Sequence, residues 1–236
     1  MSDFSQVTAV ILAGGLGTRL RKVVSDRPKV MAAINGRPFI TYLLDQLAEA
    51  GLERVIISTG HMAHLIEENI GFSYKGLKVD YAWEETPLGT AGSLKLAGQA
   101  VDTKRCLVMN GDSYTEFDYV SLLMNHIKSD ASITIVVKLV GDSSRYGTIQ
   151  MNEQNSITLF IEKGATEGQG LINTGVYLMN TLVLDEISEK IPCSLEYDFF
   201  PSMIGKEIFG FSSATEGRFI DIGTTESYAK AETVFK

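Results

Sequence analysis

Val7-Thr8-Ala9-Val10-Ile11 runs into Leu12-Ala13-Gly14-Gly15-Leu16-Gly17-Thr18-Arg19-Leu20, a strand-like run followed by a glycine-rich turn that ends on an arginine. The first five residues read as a buried strand. The glycines behind them let the backbone approach a ligand closely and turn its N–H groups toward an anion. A helix start after the turn is expected to add its dipole, and Arg19 offers a planar fork of donors for phosphate oxygens. Leu12, Ala13, Gly14, Gly15, Gly17 and Thr18 are thus candidate phosphate-loop residues. Two familiar loops are excluded by spacing. There is no Gly-x-x-x-x-Gly-Lys-Ser/Thr, and Leu20 stands where the third glycine of Gly-x-Gly-x-x-Gly would be.

The charge around this loop runs against that of the whole chain. Arg19, Arg21, Lys22, Arg27, Lys29 and Arg37 face the single acid Asp26 between Gly17 and Arg37, whereas the 236 residues carry a formal net charge of -8. Such acidity excludes broad binding to nucleic acid or to an anionic membrane. A focused basic site for a small polyanion is what remains. Cys106 and Cys193 are too few for a disulfide framework, and no apolar run approaches the roughly 20 residues a membrane helix needs. The N-terminal residues lack a basic segment followed by an apolar one, so a cytoplasmic location is expected.

Strand-like and helix-like segments alternate through the first half. Strands are expected at 7–13, 54–59, 79–83 and 106–110, and helices at 39–50, 62–70, 94–100 and 120–128. This βαβ order predicts an α/β fold: a Rossmann-like, mixed but mostly parallel sheet flanked by helices, with ligands beyond the carboxyl ends of the strands. Beyond residue 130 the strands at 133–140, 157–162 and 171–178 have shorter connections, which points to an antiparallel extension. No linker divides the chain, so one domain over 1–236 is expected.

Asp112, in Val108-Met109-Asn110-Gly111-Asp112-Ser113, falls just past a strand end. Asp221, in Phe219-Ile220-Asp221-Ile222-Gly223-Thr224, is a second acid flanked by apolar residues. Mg²⁺ keeps several waters while bridging one or two carboxylates to substrate phosphates, so this pair is a candidate metal site. His61, His64 and Glu68 share a helical spacing, but no further Cys or His supports zinc, and a surface face is expected. No Ser/His/Asp or Cys/His arrangement suggests covalent catalysis.

The loop, with Arg27-Pro28-Lys29-Val30-Met31 and Gly36-Arg37-Pro38-Phe39 behind it, resembles the sugar-1-phosphate nucleotidylyltransferases over nearly the whole chain. Those enzymes join a nucleoside triphosphate to a sugar 1-phosphate with release of pyrophosphate. The resemblance implies that residues 1–130 bind nucleotide and 131–236 bind sugar. It further implies that Arg19 and Lys29 are catalytic, that Asp112 and Asp221 hold Mg²⁺, and that the glycine loop holds the nucleotide. Gly111, Glu162 and Lys163 of Glu162-Lys163-Gly164, Asn173 and Gly175 of Asn173-Thr174-Gly175, and Glu196 are implied to meet the sugar or its phosphate. Gly164 and Val30 stand where the family usually has proline. Ser194 also reads as an N-cap with acids in the first turn behind it. A homodimer is implied in the same way.

Glu84-Glu85-Thr86-Pro87-Leu88-Gly89-Thr90 resembles the family's base-reading segment, from which Glu84, Pro87, Gly89 and Thr90 are carried over as nucleotide-binding. Relatives that handle uracil or thymine carry glutamine at the position of Glu84. A carboxylate only accepts hydrogen bonds, and guanine offers two adjacent donors. Uracil and thymine would set carbonyls against the charge, a mismatch able to reject a partner by ~10⁴-fold. GTP is therefore expected, with CTP second. Pro28-Lys29, Pro87-Leu88-Gly89-Thr90 and Ser194–Pro201 are most similar to the D-glycero-α-D-manno-heptose 1-phosphate guanylyltransferases, with the mannose-1-phosphate enzymes as the near alternative. A non-catalytic sugar-nucleotide sensor on the same fold, and a metal-dependent glycosyltransferase, are the rivals of other classes.

Overall fold

Four parallel strands carry the centre of the molecule. The computed structural model describes residues 4–15, 17, 19–20, 23–161, 164, 167–212 and 217–235. Within them, β1 (Val7–Leu12) pairs in parallel with β4 (Arg54–Thr59) on one side and β7 (Arg105–Asn110) on the other, and β6 (Leu77–Trp83) lies parallel beyond β4. Their near-continuous apolar runs reflect burial on both faces. The chain moves from β1 to β4 through helix α1 (Ile40–Glu49) and from β4 to β6 through α2 (Ala63–Ile70). It then crosses back through α3 (Gly89–Gly98) to lay β7 on the far side of β1. The strand order therefore reverses between β1 and β7, which opens a crevice at their carboxyl ends.

The expected antiparallel extension is present. β12 (Gly170–Asn180) runs antiparallel to β7 and to β9 (Ile133–Val140), and β10 (Thr148–Met151) and β11 (Ile157–Ile161) continue the sheet to its edge. β13 (Ile208–Ser212) joins β9 in parallel and β5 (Ser73–Tyr74) edges β6 antiparallel, making ten strands among the described residues. Apart from the sheet, β2 (Ala33–Ile34) pairs with β3 (Arg37–Pro38), and β8 (Ser113–Thr115) with β14 (Phe219–Asp221). One face packs Leu43, Leu44 and Leu47 of α1, Ile66 of α2, and Leu122 and Leu123 of α4 (Tyr119–Lys128) against Ile11, Ile57 and Met109. The other packs Leu94 and Ala97 of α3 with Phe199 and Phe200 against Val10, Ile56 and Val108.

Two expectations are corrected. No helix follows the glycine loop among the described residues. Leu20 N–H bonds Gly17 C=O, and Val23 and Val24 N–H bond Leu20 C=O, after which Pro28 caps only a three-residue 3₁₀ turn over Lys29–Met31. Between Leu20 and Pro28 the apolar residues Leu20, Val23 and Val24 make one helical turn only, too short a stripe to hold a longer helix before Pro28 ends it. The helix expected at 94–100 begins five residues earlier, at Gly89. Its first turn has no side-chain cap, and the Ala91 N–H instead donates to Cys193 C=O at 2.9 Å. Satisfaction of helix N–H groups by a carbonyl so distant in sequence leaves no local signal.

Candidate active site

The crevice between β1 and β7 opens into a cavity of about 570 Å³. Arg19, Gly89, Thr90, Asp112, Asn173, Gly175, Glu196 and Asp221, all candidates from the sequence, line it. Residues the sequence did not single out also line it, among them Asn110, Tyr146, Phe160, Thr174 and Tyr197. Tyr146 sits edge-on to Phe219. Tyr146 lies in the loop between β9 and β10, in the antiparallel extension, where alternating apolarity marks strands but not which loop faces a ligand.

The two aspartates come together through β8 and β14. Asp221 stands opposite Ser113 in that pairing, and Ile222 N–H donates to Asp112 C=O at 2.9 Å. Lys29 Nζ donates to Asp112 Oδ2 at 2.6 Å, and Gly223 N–H donates to Asp221 Oδ1. Asp112 follows β7 through Gly111, whose N–H bonds Leu12 C=O at 2.9 Å. A Cβ on Gly111 would meet that carbonyl at 2.8 Å and Val30 at 2.9 Å, so Gly111 seats β7's end against β1 and is absent from the cavity wall.

Among the described residues no three His, Cys, Asp or Glu side chains cluster as a self-sufficient metal cage. Two neighbouring carboxylates beside open cavity suit a hard cation that takes its remaining ligands from water and phosphate, so the donor set fits a divalent ion of the Mg²⁺ kind. His64 and Glu68 are exposed on α2, and His61 precedes that helix, so these three form no metal group.

Glu84 occupies the other side of the glycine loop. Its Oε1 accepts from Ser58 Oγ at 3.1 Å and its Oε2 from Leu88 N–H at 3.4 Å. The carboxylate rests on Gly14, where a Cβ would collide with Oε1, while Glu85 is exposed. Pro87 is exposed as well. Gly89 has φ +77°, and a Cβ there would run into Cys193 C=O, so the close approach of α3 to the 193–196 segment requires glycine. The α3 N-terminus, with Gly89 and Thr90 on the cavity wall, supplies the dipole end that the glycine loop lacks.

A hydrogen-bonded chain crosses the cavity floor. Thr90 Oγ1 and Ser194 Oγ donate to Glu196 Oε2 at 3.0 and 3.1 Å, and Tyr177 OH donates to Oε1 at 3.4 Å. Asn173 Nδ2 donates to Tyr177 OH at 3.0 Å, while Asn173 Oδ1 accepts from Gly175 N–H at 2.9 Å. Burial, with the Glu196 charge beside it, pushes the Tyr177 phenol well above its ordinary range, so it stays a donor. Ser194 caps its helical turn as expected, accepting from Glu196 and Tyr197 N–H. The register of β12 against β9 shifts between Asn173 and Tyr177, and Gly175 there has φ +80°, with Asn110 filling the space of a Cβ. Bulges of this kind re-aim side chains next to binding sites.

Of the basic run, Arg19 and Lys29 face the site. Arg27 is paired with Asp26 and Arg37 with Asp45, both away from the cavity wall. Gly15, Gly17, Arg27, Lys29 and His61 border a second cavity of about 240 Å³ behind the loop. Thr18, Glu162 and Lys163, like Arg21 and Lys22, lie outside the described residues.

Comparison with known proteins agrees with this geometry. Residues 8–235 match the family described as Nucleotidyl transferase. The chain is 37% identical over 227 residues to the D-glycero-alpha-D-manno-heptose 1-phosphate guanylyltransferase of Aneurinibacillus thermoaerophilus, covering 95% of this chain and 96% of that one. It is 34% identical to the mannose-1-phosphate guanylyltransferase of Mycobacterium tuberculosis, covering 95% of this chain but 63% of that protein. The crystal structure of HddC from Yersinia pseudotuberculosis complexed with GMP-PN superposes with a TM-score of 0.84 at 35% identity, over 97% of this chain and 99% of that chain.

Proposed function

The chain belongs to the nucleotidyl transferase family, and on that premise we propose that it transfers GMP from GTP to a sugar 1-phosphate, giving a GDP-sugar and pyrophosphate. The sugar is D-glycero-α-D-manno-heptose 1-phosphate in this reading, supported by a relative of matching length with that activity in its name. Mannose 1-phosphate is the second reading, supported by the mycobacterial relative. One observation carries the assignment of chemistry: Arg19, both aspartates and the Glu196 network converge on a single cavity at the β1/β7 crevice. Residues before about 130 would take the nucleotide and those after it the sugar, as the two walls of that cavity suggest.

The nucleophile is the sugar-phosphate oxygen, which attacks the α-phosphorus in line as pyrophosphate leaves opposite. Such chemistry depends on positioning and charge neutralisation. Glu84, held by Ser58 and Leu88, accepts the two guanine donors. The loop from Leu12 to Thr18 takes the triphosphate through its N–H groups, with Pro87, Gly89 and Thr90 shaping the base side. Arg19 neutralises the departing pyrophosphate and Lys29 the α-phosphate. Losing either is expected to raise the barrier by about 3 kcal/mol. Asp112 and Asp221 would hold Mg²⁺, which when bound neutralises charge on the phosphates of both substrates. Asn173, Gly175 and Glu196 orient the sugar, and Glu162 and Lys163 belong to the same reading as its hydroxyl and phosphate contacts.

No helix among the described residues is long and apolar enough to cross a membrane. The cytoplasm, where nucleoside triphosphates are made, is the proposed location. A homodimer belongs to the same reading and is tested by mass in solution. The activity is tested by incubating the protein with GTP, Mg²⁺ and either sugar 1-phosphate and weighing the products. A GDP-sugar with one of the two is expected, and no GDP-sugar with either overturns the assignment.

A further inference from the structure

Lys29 stands where a cation is wanted by two carboxylates. Its ammonium lies 2.6 Å from Asp112 Oδ2, and only 10% of the side chain is exposed. The bare Cα of Gly223 brings it near the second acid as well. A Cβ built there would lie 3.2 Å from Lys29 Nζ and 2.5 Å from Asp221 Oδ1. The stem of the lysine is held against the glycine loop, for a Cβ on Gly17 would meet Lys29 Cβ at 3.2 Å. One side chain thus links the loop proposed to grip the triphosphate to the carboxylates proposed to grip the metal.

We propose that Lys29 is a placeholder cation, which neutralises the Asp112/Asp221 pair in the nucleotide-free protein and yields it to a divalent ion when the nucleotide arrives. The inference rests on the reading of those aspartates as metal ligands. Its physical basis is charge. A dication brought to Asp112 while it holds the ammonium, with Asp221 close by, meets repulsion at a distance of a few ångströms, in a site that is only partly open to screening water. The α-phosphate offers the ammonium a new anion within reach of the same flexible stem. The metal therefore enters with the nucleotide, and the empty protein binds free metal poorly.

Calorimetric titration of Mn²⁺ into the nucleotide-free protein tests this without measuring turnover. Lys29→Met is expected to bind Mn²⁺ at least tenfold more tightly than the unaltered chain, and Asp221→Asn added to it is expected to remove that gain. Arg19→Gln takes a charge from the cavity wall without releasing a carboxylate, and is expected to leave Mn²⁺ affinity within threefold. Melting temperatures confirm that each variant is folded, and Lys29→Ala serves as a second variant if Lys29→Met is not. A Lys29→Met protein that binds no more tightly, while Asp112→Asn and Asp221→Asn still weaken binding of the Mn²⁺–GTP complex, overturns the placeholder but keeps the metal site. Asp112→Asn and Asp221→Asn that leave Mn²⁺–GTP binding unchanged overturn the metal reading and the placeholder with it. Equal gains from Lys29→Met and Arg19→Gln also overturn it, because general electrostatics then accounts for both.

Discussion

Glu84 and Gly14 form a pair in which each explains the other. The carboxylate can lie on the loop because Gly14 has no side chain, and Ser58 and Leu88 hold it there with its acceptor edge set. Gly14→Ala is therefore expected to displace the flexible end of Glu84 and leave the backbone in place. Its melting temperature should stay within a few degrees of the unaltered chain, while KM for GTP rises about tenfold. Glu84→Gln removes the charge but keeps the shape, and is expected to lower kcat/KM for GTP about hundredfold and to narrow its lead over UTP, since a donor then faces the guanine donors. Trp83, the only tryptophan of the chain and 61% exposed beside Glu84, gives a fluorescence signal for following nucleotide binding in both variants. Glu84 stands out in the sequence because its alternatives differ in hydrogen-bonding chemistry. Tyr177 and Asn110 do not, because buried apolar strands hide which of their polar residues turn toward a cavity.

At the scale of elements, the side of the cavity proposed for the sugar depends on a bulge and a cap. Ser194 both caps the turn of Leu195–Phe199 and donates to Glu196. Ser194→Ala is expected to cost about 1 kcal/mol of stability, or roughly 2–4 °C in Tm. It should raise KM for the sugar 1-phosphate more than KM for GTP, because Glu84 is held by Ser58 and Leu88 against Gly14 and not by the Ser194 segment. The cap was readable as Ser-x-Glu before acids, a local pattern. The early start of α3 was not, since its first N–H groups are met by Cys193 across more than a hundred residues. The missing helix after the glycine loop teaches the converse. A glycine-rich turn after a strand invites a helix only when an apolar stripe of several turns follows to bury it, and Leu20, Val23 and Val24 supply a single turn before Pro28.

Across the whole molecule, the alternation of apolar strands and amphipathic helices made the parallel half readable. The antiparallel half needed tertiary pairing, as β12 shows by serving β7, β9 and β10 in turn. One feature of the global fold titrates. His126 of α4 is buried between Thr134 at 2.8 Å from Nδ1 and Asn180 Oδ1 at 3.2 Å from Nε2. Asn180 Nδ2 donates to Ala131 C=O, so its Oδ1 accepts, which assigns the proton to Nε2 of a neutral ring. Burial pulls the imidazole down to about 4 from an ordinary 6.5. The unfolded chain binds the extra proton between those values, so stability is retained above pH 6.5 and lost as pH falls toward 4, by up to about 3 kcal/mol. Urea midpoints measured at steps from pH 7.5 to 4.5 are expected to fall for the unaltered chain and to stay nearly level for His126→Gln, whatever that variant costs at neutral pH. Glu116, held below the carboxylate range by its hydrogen bond to Arg218, adds its own loss only at lower pH.

A guanine-accepting carboxylate, a phosphate loop and a metal-suited acid pair about one crevice are the core of the proposed function. Pyrophosphate release with Mg²⁺, crossing GTP, CTP, UTP, dTTP and ATP against heptose, mannose and glucose 1-phosphates, tests it most directly. A kcat/KM for GTP at least a hundredfold above that for UTP or dTTP, with the heptose or mannose phosphate as acceptor, is expected. Preference for UTP or dTTP would contradict the role given to Glu84, and binding of nucleotide sugars without release from any pair would contradict catalysis itself.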